Sequence, residues 1–146
     1  MMRNRFFLLV VALCMTIGMG AQVNSGNTTE VKPDEESVKK EAEENYQKGN
    51  KFWKAKEVDK ALTYYGLAAE AGHPEAQYIM GLLCIEGKKV LKNIDLGIEW
   101  LEKAGMQGHK DAQFKLAAIF LQGEIVEKDL QMAQFWARKY KGLPDE

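Results

Sequence analysis

The chain has 146 residues, of which 46% are hydrophobic and 28% are charged, and its 20 Lys and Arg side chains against 21 Asp and Glu give a formal net charge of -1. This length limits the chain to one small domain, and the composition is typical of a folded globular protein rather than a disordered or fibrous one. Because nucleic-acid binding needs a clustered basic surface, and Lys and Glu alternate along most segments here, we predict no nucleic-acid partner.

The N-terminus has the pattern of an export signal. Arg3 and Arg5 give a basic start, residues 6–17 form an apolar run, and small residues follow as far as Ala21. We predict a signal peptide over residues 1–21, export to the periplasm or the medium of a bacterial cell, and no stable membrane insertion after cleavage. The apolar run is shorter than the about 20 residues that a membrane-spanning helix needs. A retained N-terminal anchor is the alternative.

A polar segment follows the predicted signal peptide. Residues 22–37 contain Asn, Ser, Gly and Thr and one proline, and they show no apolar period. This composition predicts a flexible linker. After signal cleavage Cys84 is the only thiol, so we expect no intramolecular disulfide and a small buried side chain at this position.

The rest of the chain contains an internal repeat. A shift of 36 residues superposes rare residues on one another, among them Gly72-His73 on Gly108-His109, Ala76-Gln77 on Ala112-Gln113, Gly87 on Gly123 and Trp100 on Trp136. Such self-similarity is the signature of a stack of structural repeats.

Each repeat contains two helical patterns. Apolar residues recur at the i, i+3, i+4 and i+7 spacing of one helix face, and no strand pattern competes with them. Pro74 fits a first helical turn, and Asn93 and Asp129 fit N-cap positions. We therefore predict an all-α chain with helices at residues 38–54, 58–71, 75–86, 94–106, 111–122 and 130–141.

Residues 71–108, which read Ala-Gly-His-Pro-Glu-Ala-Gln-Tyr and continue through spaced Gly, Val, Trp and Ala residues, resemble a Sel1-like repeat. Residues 108–140 resemble a second one. The preceding segment is similar to a tetratricopeptide repeat, since Gly49 to Gly81 spans 32 residues instead of 36. The repeat domain is thereby placed at 38–142, divided into a tetratricopeptide-like unit at 38–71 and Sel1-like units at 72–107 and 108–142.

The resemblance implies a right-handed α-α superhelix, a solenoid of three antiparallel helix pairs, that acts as a non-catalytic protein-protein interaction module or adaptor. Its concave side would bind a peptide or another protein. Carrying the tetratricopeptide groove positions across gives the candidate binding residues Tyr46, Asn50, Trp53, Tyr78, Leu82, Glu86, Phe114 and Gln122. Among these, Tyr46, Tyr78 and Phe114 occupy equivalent places. They are either aromatic anchors for a ligand or packing between adjacent first helices.

Two further expectations concern chemistry and assembly. His73 and His109 are interpreted as parts of helix starts, because no cluster of ligands accompanies either one, and we predict neither a metal nor a cofactor nor catalysis. An envelope structural or assembly protein is the alternative, and a hydrolytic enzyme of the Sel1-like class is a weaker one. Phe135, Trp136 and Tyr140 are too many aromatics for a short tail to cover, which predicts a partner or self-association at the C-terminal repeat.

Overall fold

The structure, a computed structural model, describes residues 34–144. This part of the chain consists of six α-helices without strands, in three antiparallel pairs that stack as a right-handed solenoid. The helices are α1 (Glu35–Lys54), α2 (Val58–Glu70), α3 (Pro74–Glu86), α4 (Ile94–Met106), α5 (Lys110–Gln122) and α6 (Leu130–Lys141). The predicted all-α solenoid is thereby confirmed. The predicted signal peptide and most of the predicted linker lie outside the described residues.

The prediction for the start of the first helix is wrong by three residues. The helix begins at Glu35, so residues 35–37 are helical and do not belong to a linker. The Asp34 side chain accepts a hydrogen bond from the backbone N–H of Ser37 at 2.8 Å, which caps the helix. Glu35 and Glu36 in the first turn face the positive end of the helix dipole. Capping residues are polar, and for that reason they resemble a linker in the sequence.

The boundaries of the Sel1-like helices follow their capping residues. Asn93 and Asp129 cap α4 and α6 with their side chains, as predicted. The first helices of the second and third pairs, α3 and α5, end at Gly87 and Gly123, whose φ angles are +67° and +71°. A side chain is strained at such angles, which is why glycine ends these helices.

The two helices of the second repeat approach so closely that only glycine fits between them. A Cβ atom at Gly97 would lie 2.9 Å from the carbonyl oxygen of Gly81, and one at Gly81 would lie 2.8 Å from the Leu101 side chain. The backbones of α3 and α4 therefore lie in close contact at this point. Leu101, Leu116 and Trp136 are the largest fully buried side chains of the described residues, and together they form the core that joins the second and third repeats.

Helices of residues 34–144 are all too short or too polar to cross a membrane.

Candidate protein-binding surface

Two of the predicted aromatic residues lie between adjacent repeats. The ring of Tyr46 stacks on His73 with 4.3 Å between ring centroids, and the ring of Tyr78 stacks on His109 at 4.7 Å. Both tyrosines are half-buried. The equivalent Phe114 has no histidine on it and is 61% exposed. The three aromatics therefore share a place in the repeat but not an environment.

Both histidines act as helix caps through one ring nitrogen. Nδ1 of His73 accepts the backbone N–H of Ala76 at 3.3 Å, and Nδ1 of His109 accepts that of Ala112 at 3.2 Å. An accepting Nδ1 places the hydrogen of a neutral imidazole on Nε2. The structure thus confirms that His73 and His109 belong to the starts of α3 and α5.

The other ring nitrogen ties each histidine to the repeat before it. The Nε2–H of His73 donates to Oε2 of Glu43 at 2.9 Å, and that of His109 donates to Oε2 of Glu75 at 2.8 Å. We call the set of Glu43, Tyr46 and His73 the first joint. The equivalent set of Glu75, Tyr78 and His109 is the second joint.

Three other predicted residues come together at one pocket between α1 and α3. The pocket has a volume of about 270 Å³ and is lined by Trp53, Tyr65, Ile79, Leu82, Leu83 and Glu86. Trp53 is 44% exposed, and its ring is tilted against Tyr65 with 6.4 Å between the centroids. We call this hollow the Trp53 pocket. It offers apolar walls with one carboxylate at its edge, which suits an aliphatic side chain beside a positive charge.

Tyr65 of α2, which is not among the predicted binding residues, forms the back of this pocket. A Cβ atom at Gly49 would lie 2.6 Å from its ring, so the glycine makes room for the tyrosine. Its hydroxyl donates to Oδ1 of Asn50 at 2.9 Å. The predicted residue Asn50 therefore positions Tyr65, and burial raises the pKa of that phenol. The pairing of a helical glycine with an aromatic residue on the next helix is the signal that could have revealed it.

The predicted residues of the third repeat do not line the Trp53 pocket. Gln122 is the last residue of α5 and is exposed, in the place that Glu86 has on α3. Phe114 lies two turns earlier on the same helix. They belong to a separate surface at the C-terminal repeat.

A larger hollow of about 530 Å³ lies between the start of α1 and the turn from α2 to α3. Charged side chains line it, and they already pair with one another. Lys39 donates to Glu35 at 2.6 Å, and Glu43 accepts from His73 within the first joint. The hydrogen bonds from Gln47 and His73 hold the pKa of Glu43 below its usual value. The charged groups of this hollow are therefore paired within the chain, whereas the Trp53 pocket is lined mainly by apolar side chains.

The described residues hold no group of three or more His, Cys, Asp and Glu side chains that could bind a metal ion. Cys84 is 4% exposed, and burial raises the pKa of its thiol. A buried, protonated thiol is a poor nucleophile.

Comparison with known proteins gives a consistent picture. The sequence model of the Sel1 repeat matches residues 42–73, 74–109 and 110–139. A comparison with curated protein sequences finds no match. The crystal structure of a Sel1 repeat protein from Oxalobacter formigenes is similar with a TM-score of 0.62 and 26% identity, over 76% of this chain and 90% of that chain.

A second solved structure has the same fold. It is c5321, a protective antigen present in uropathogenic Escherichia coli strains, with a TM-score of 0.64 and 24% identity, and the match covers 76% of this chain but 26% of that longer one. The Sel1 model matches the first repeat as well, although the turn between its helices, residues 55–57, is shorter than those of the other two repeats. The three matches span more than half of the sequence, and the chain belongs to the Sel1 repeat family.

Proposed function

We propose that this protein is a non-catalytic adaptor that binds a peptide or protein segment through the groove between α1 and α3. Repeats of this family typically act as protein-interaction modules. The observation that carries the finer proposal is the Trp53 pocket, where an exposed indole and Leu82 lie beside the Glu86 carboxylate. Large aromatic side chains at the centre of a contact contribute most to protein affinity.

The pocket defines the segment that it would bind. Its apolar walls and volume of about 270 Å³ fit one leucine, isoleucine or methionine side chain. Glu86 is half-exposed at the edge, with Lys88 at 3.7 Å as a loose partner. A Lys or Arg of the ligand next to the apolar residue would compete with Lys88 for this carboxylate. We expect the ligand motif to be an aliphatic residue adjacent to a basic one.

A displayed library of random peptides, selected on the full chain, tests this function. We expect enriched peptides to contain the aliphatic-basic pair and to bind Trp53→Ala at least about tenfold more weakly, which corresponds to about 1.4 kcal/mol. Leu67→Ala is the matched control, because Leu67 is 46% exposed on α2 and does not line the pocket. Equal binding by wild type, Trp53→Ala and Leu67→Ala would place the ligand elsewhere and overturn the proposal.

Export is the second part of the proposal. The basic, apolar and small residues of positions 1–21 support a cleaved signal peptide, so the partner would be another envelope or secreted protein. Intact mass and N-terminal sequencing of the protein from a bacterial host should give a mature chain that begins at Gln22 and is recovered without detergent. An uncleaved chain in the membrane fraction would instead show a retained anchor.

Self-association through the C-terminal repeat is a separate candidate. Phe114, Leu121 and Tyr140 are 61%, 54% and 43% exposed and support an apolar contact there. Light scattering during size exclusion at tens of micromolar protein tests it. A mass of two chains that returns to one in Phe114→Glu would support self-association, and a single-chain mass at every concentration would exclude it.

A further inference from the structure

In the second joint, a histidine of the third repeat contacts two side chains of the second repeat. His109 lays its ring on Tyr78 and donates to Glu75, while the same residue caps α5. The first joint repeats this arrangement with His73, Tyr46 and Glu43. In each joint the earlier repeat provides a carboxylate and an aromatic ring. The later repeat provides a histidine at a helix start.

A glutamine pair accompanies the second joint. Gln77 is buried, and its amide nitrogen donates to the carbonyl oxygen of Ala69 at 3.1 Å. Its own oxygen accepts the side-chain amide of Gln107 at 2.7 Å, two residues before the histidine. Both polar ends of the buried Gln77 side chain are therefore satisfied.

The third repeat has the receiving half of a joint. Asp111 and Phe114 lie 36 positions after Glu75 and Tyr78, and Gln113 lies 36 positions after Gln77. The Gln113 amide nitrogen donates to the carbonyl oxygen of Gly105 at 2.8 Å, as that of Gln77 donates to the carbonyl oxygen of Ala69.

Its oxygen differs from that of Gln77. Gln113 is 3% exposed, and its Oε1 atom has no hydrogen-bond partner among the described residues. A buried acceptor without a donor destabilises the structure that contains it. Leu143 stands 36 positions after Gln107 and has no donor group in its side chain.

We propose that Asp111, Gln113 and Phe114, which we call the C-terminal face, bind a helix of another Sel1-type protein that begins with a histidine cap. The histidine ring lies flat on Phe114, and its Nε2–H donates to Asp111. An amide side chain ahead of the histidine takes the place that Leu143 has in the free chain and supplies the donor that Gln113 lacks. The partner thus completes a third joint with the chemistry of the other two.

A second copy of this chain is a poorer occupant. The chain has two histidines, and both are held within its own joints. Its first helix also has charged residues, Glu44 and Lys48, at the positions where α3 has Ala76 and Met80 against the preceding repeat. That surface cannot bury itself on an apolar face without desolvating two charges.

A synthetic peptide with the sequence of residues 107–122 is the probe, because it carries the Gln-Gly-His helix start. It is titrated against the full chain by fluorescence anisotropy. The control peptide has His109→Asn, which keeps a capping side chain and therefore the helix but removes the ring and the Nε2–H. We expect the control peptide to bind at least tenfold more weakly.

Variants of the chain locate the site. Phe114→Ala and Asp111→Asn should each weaken the histidine peptide at least fivefold, and Leu67→Ala should leave its affinity unchanged. A peptide that instead displaced α5 from its own repeat would bind these two variants as well as wild type. That result would overturn the proposal.

Two other results would also overturn it. One is equal affinity, or no measurable binding, for the histidine and asparagine peptides. The other is a dimer by light scattering that Phe114→Glu converts to a monomer while no peptide binds, because the C-terminal face would then be covered by a second copy.

Discussion

The two ends of the repeat array differ in what they present. On α3, Ala76 and Met80 pack against the preceding repeat. The positions 32 residues earlier on α1 are Glu44 and Lys48, and both are exposed. Charged residues at these places prevent another repeat from stacking on that side of α1.

The opposite end presents aromatic side chains beside the charged residues Asp111 and Lys141. Phe114 and Tyr140 meet with 5.7 Å between ring centroids and remain 61% and 43% exposed, and the buried Gln113 oxygen has no donor. Within residues 34–144 the first and third repeats therefore present different side chains on their outer surfaces. The difference depends on a few side chains and not on the fold, so it can be tested by exchanging them.

The largest expected effect comes from comparing an inner with an outer leucine. Leu101 lies on α4 and is 0% exposed, whereas Leu121 lies on α5 and is 54% exposed. Leu101→Ala should lower the free energy of unfolding by about 3 kcal/mol, because it removes buried apolar area and leaves a cavity. Leu121→Ala should change it by less than about 0.5 kcal/mol. Urea denaturation followed by circular dichroism measures both, and similar losses would mean that the C-terminal repeat is already covered.

The equivalent aromatics Tyr78 and Phe114 provide the second comparison. Tyr78→Ala removes a half-buried ring from the second joint and should cost about 2 kcal/mol of unfolding free energy. Phe114→Ala should cost less than about 0.5 kcal/mol, since that ring is mostly in solvent. If both variants unfold at the same urea concentration, the rings have one role. The proposed difference between the packed ring of Tyr78 and the exposed ring of Phe114 would then be wrong.

This comparison also shows how far the sequence alone could lead. The 36-residue offset and the helical spacing are local patterns, so they predicted the helices and the repeats well. The role of Tyr46, Tyr78 and Phe114 stayed open, because an aromatic at this place can face either a ligand or the next repeat. Whether the ring is packed or exposed depends on a histidine from the next repeat, and for Tyr46 this is His73, 27 residues later. The contact between the two rings is visible only once the repeats are stacked in the structure.

The candidate pocket could be predicted only in part, because one of its walls comes from a second helix. Trp53, Leu82 and Glu86 were identified from groove positions on the first helices, and they do line one hollow. Tyr65 was missed as a wall of it, since it comes from the second helix and reaches the groove through the space left by Gly49. Contacts that depend on the absence of a side chain are difficult to read from a periodic pattern.

The third prediction separates the two roles of a joint histidine. His73→Ala removes both the cap of α3 and the contact with Tyr46 and Glu43, and should cost about 1–2 kcal/mol of unfolding free energy. His73→Asn keeps a capping oxygen and should recover about 1 kcal/mol of that loss. Thermal denaturation of the two variants measures the difference. Equal midpoints would show that capping contributes little and that the stacked ring carries the whole effect.

The smallest expected effect comes from replacing the two charged residues on the outer surface of α1. Glu44→Ala with Lys48→Met gives α1 the residues that α3 uses against its preceding repeat, and the two exposed apolar side chains add about 1–2 kcal/mol to an association. The C-terminal face of another copy could then stack on α1. Analytical ultracentrifugation should show a sedimentation coefficient that rises more steeply with protein concentration in this double variant than in wild type.

Adding Phe114→Glu to the double variant is the matched control, because it changes the other half of the contact. The triple variant should sediment as a single chain at every concentration. Association that persists in the triple variant would mean that the new apolar surface pairs with itself. In that case the exposed aromatic side chains of the third repeat would not pack against the first helix of a following repeat. The difference between the two outer surfaces would then say nothing about what the C-terminal face binds.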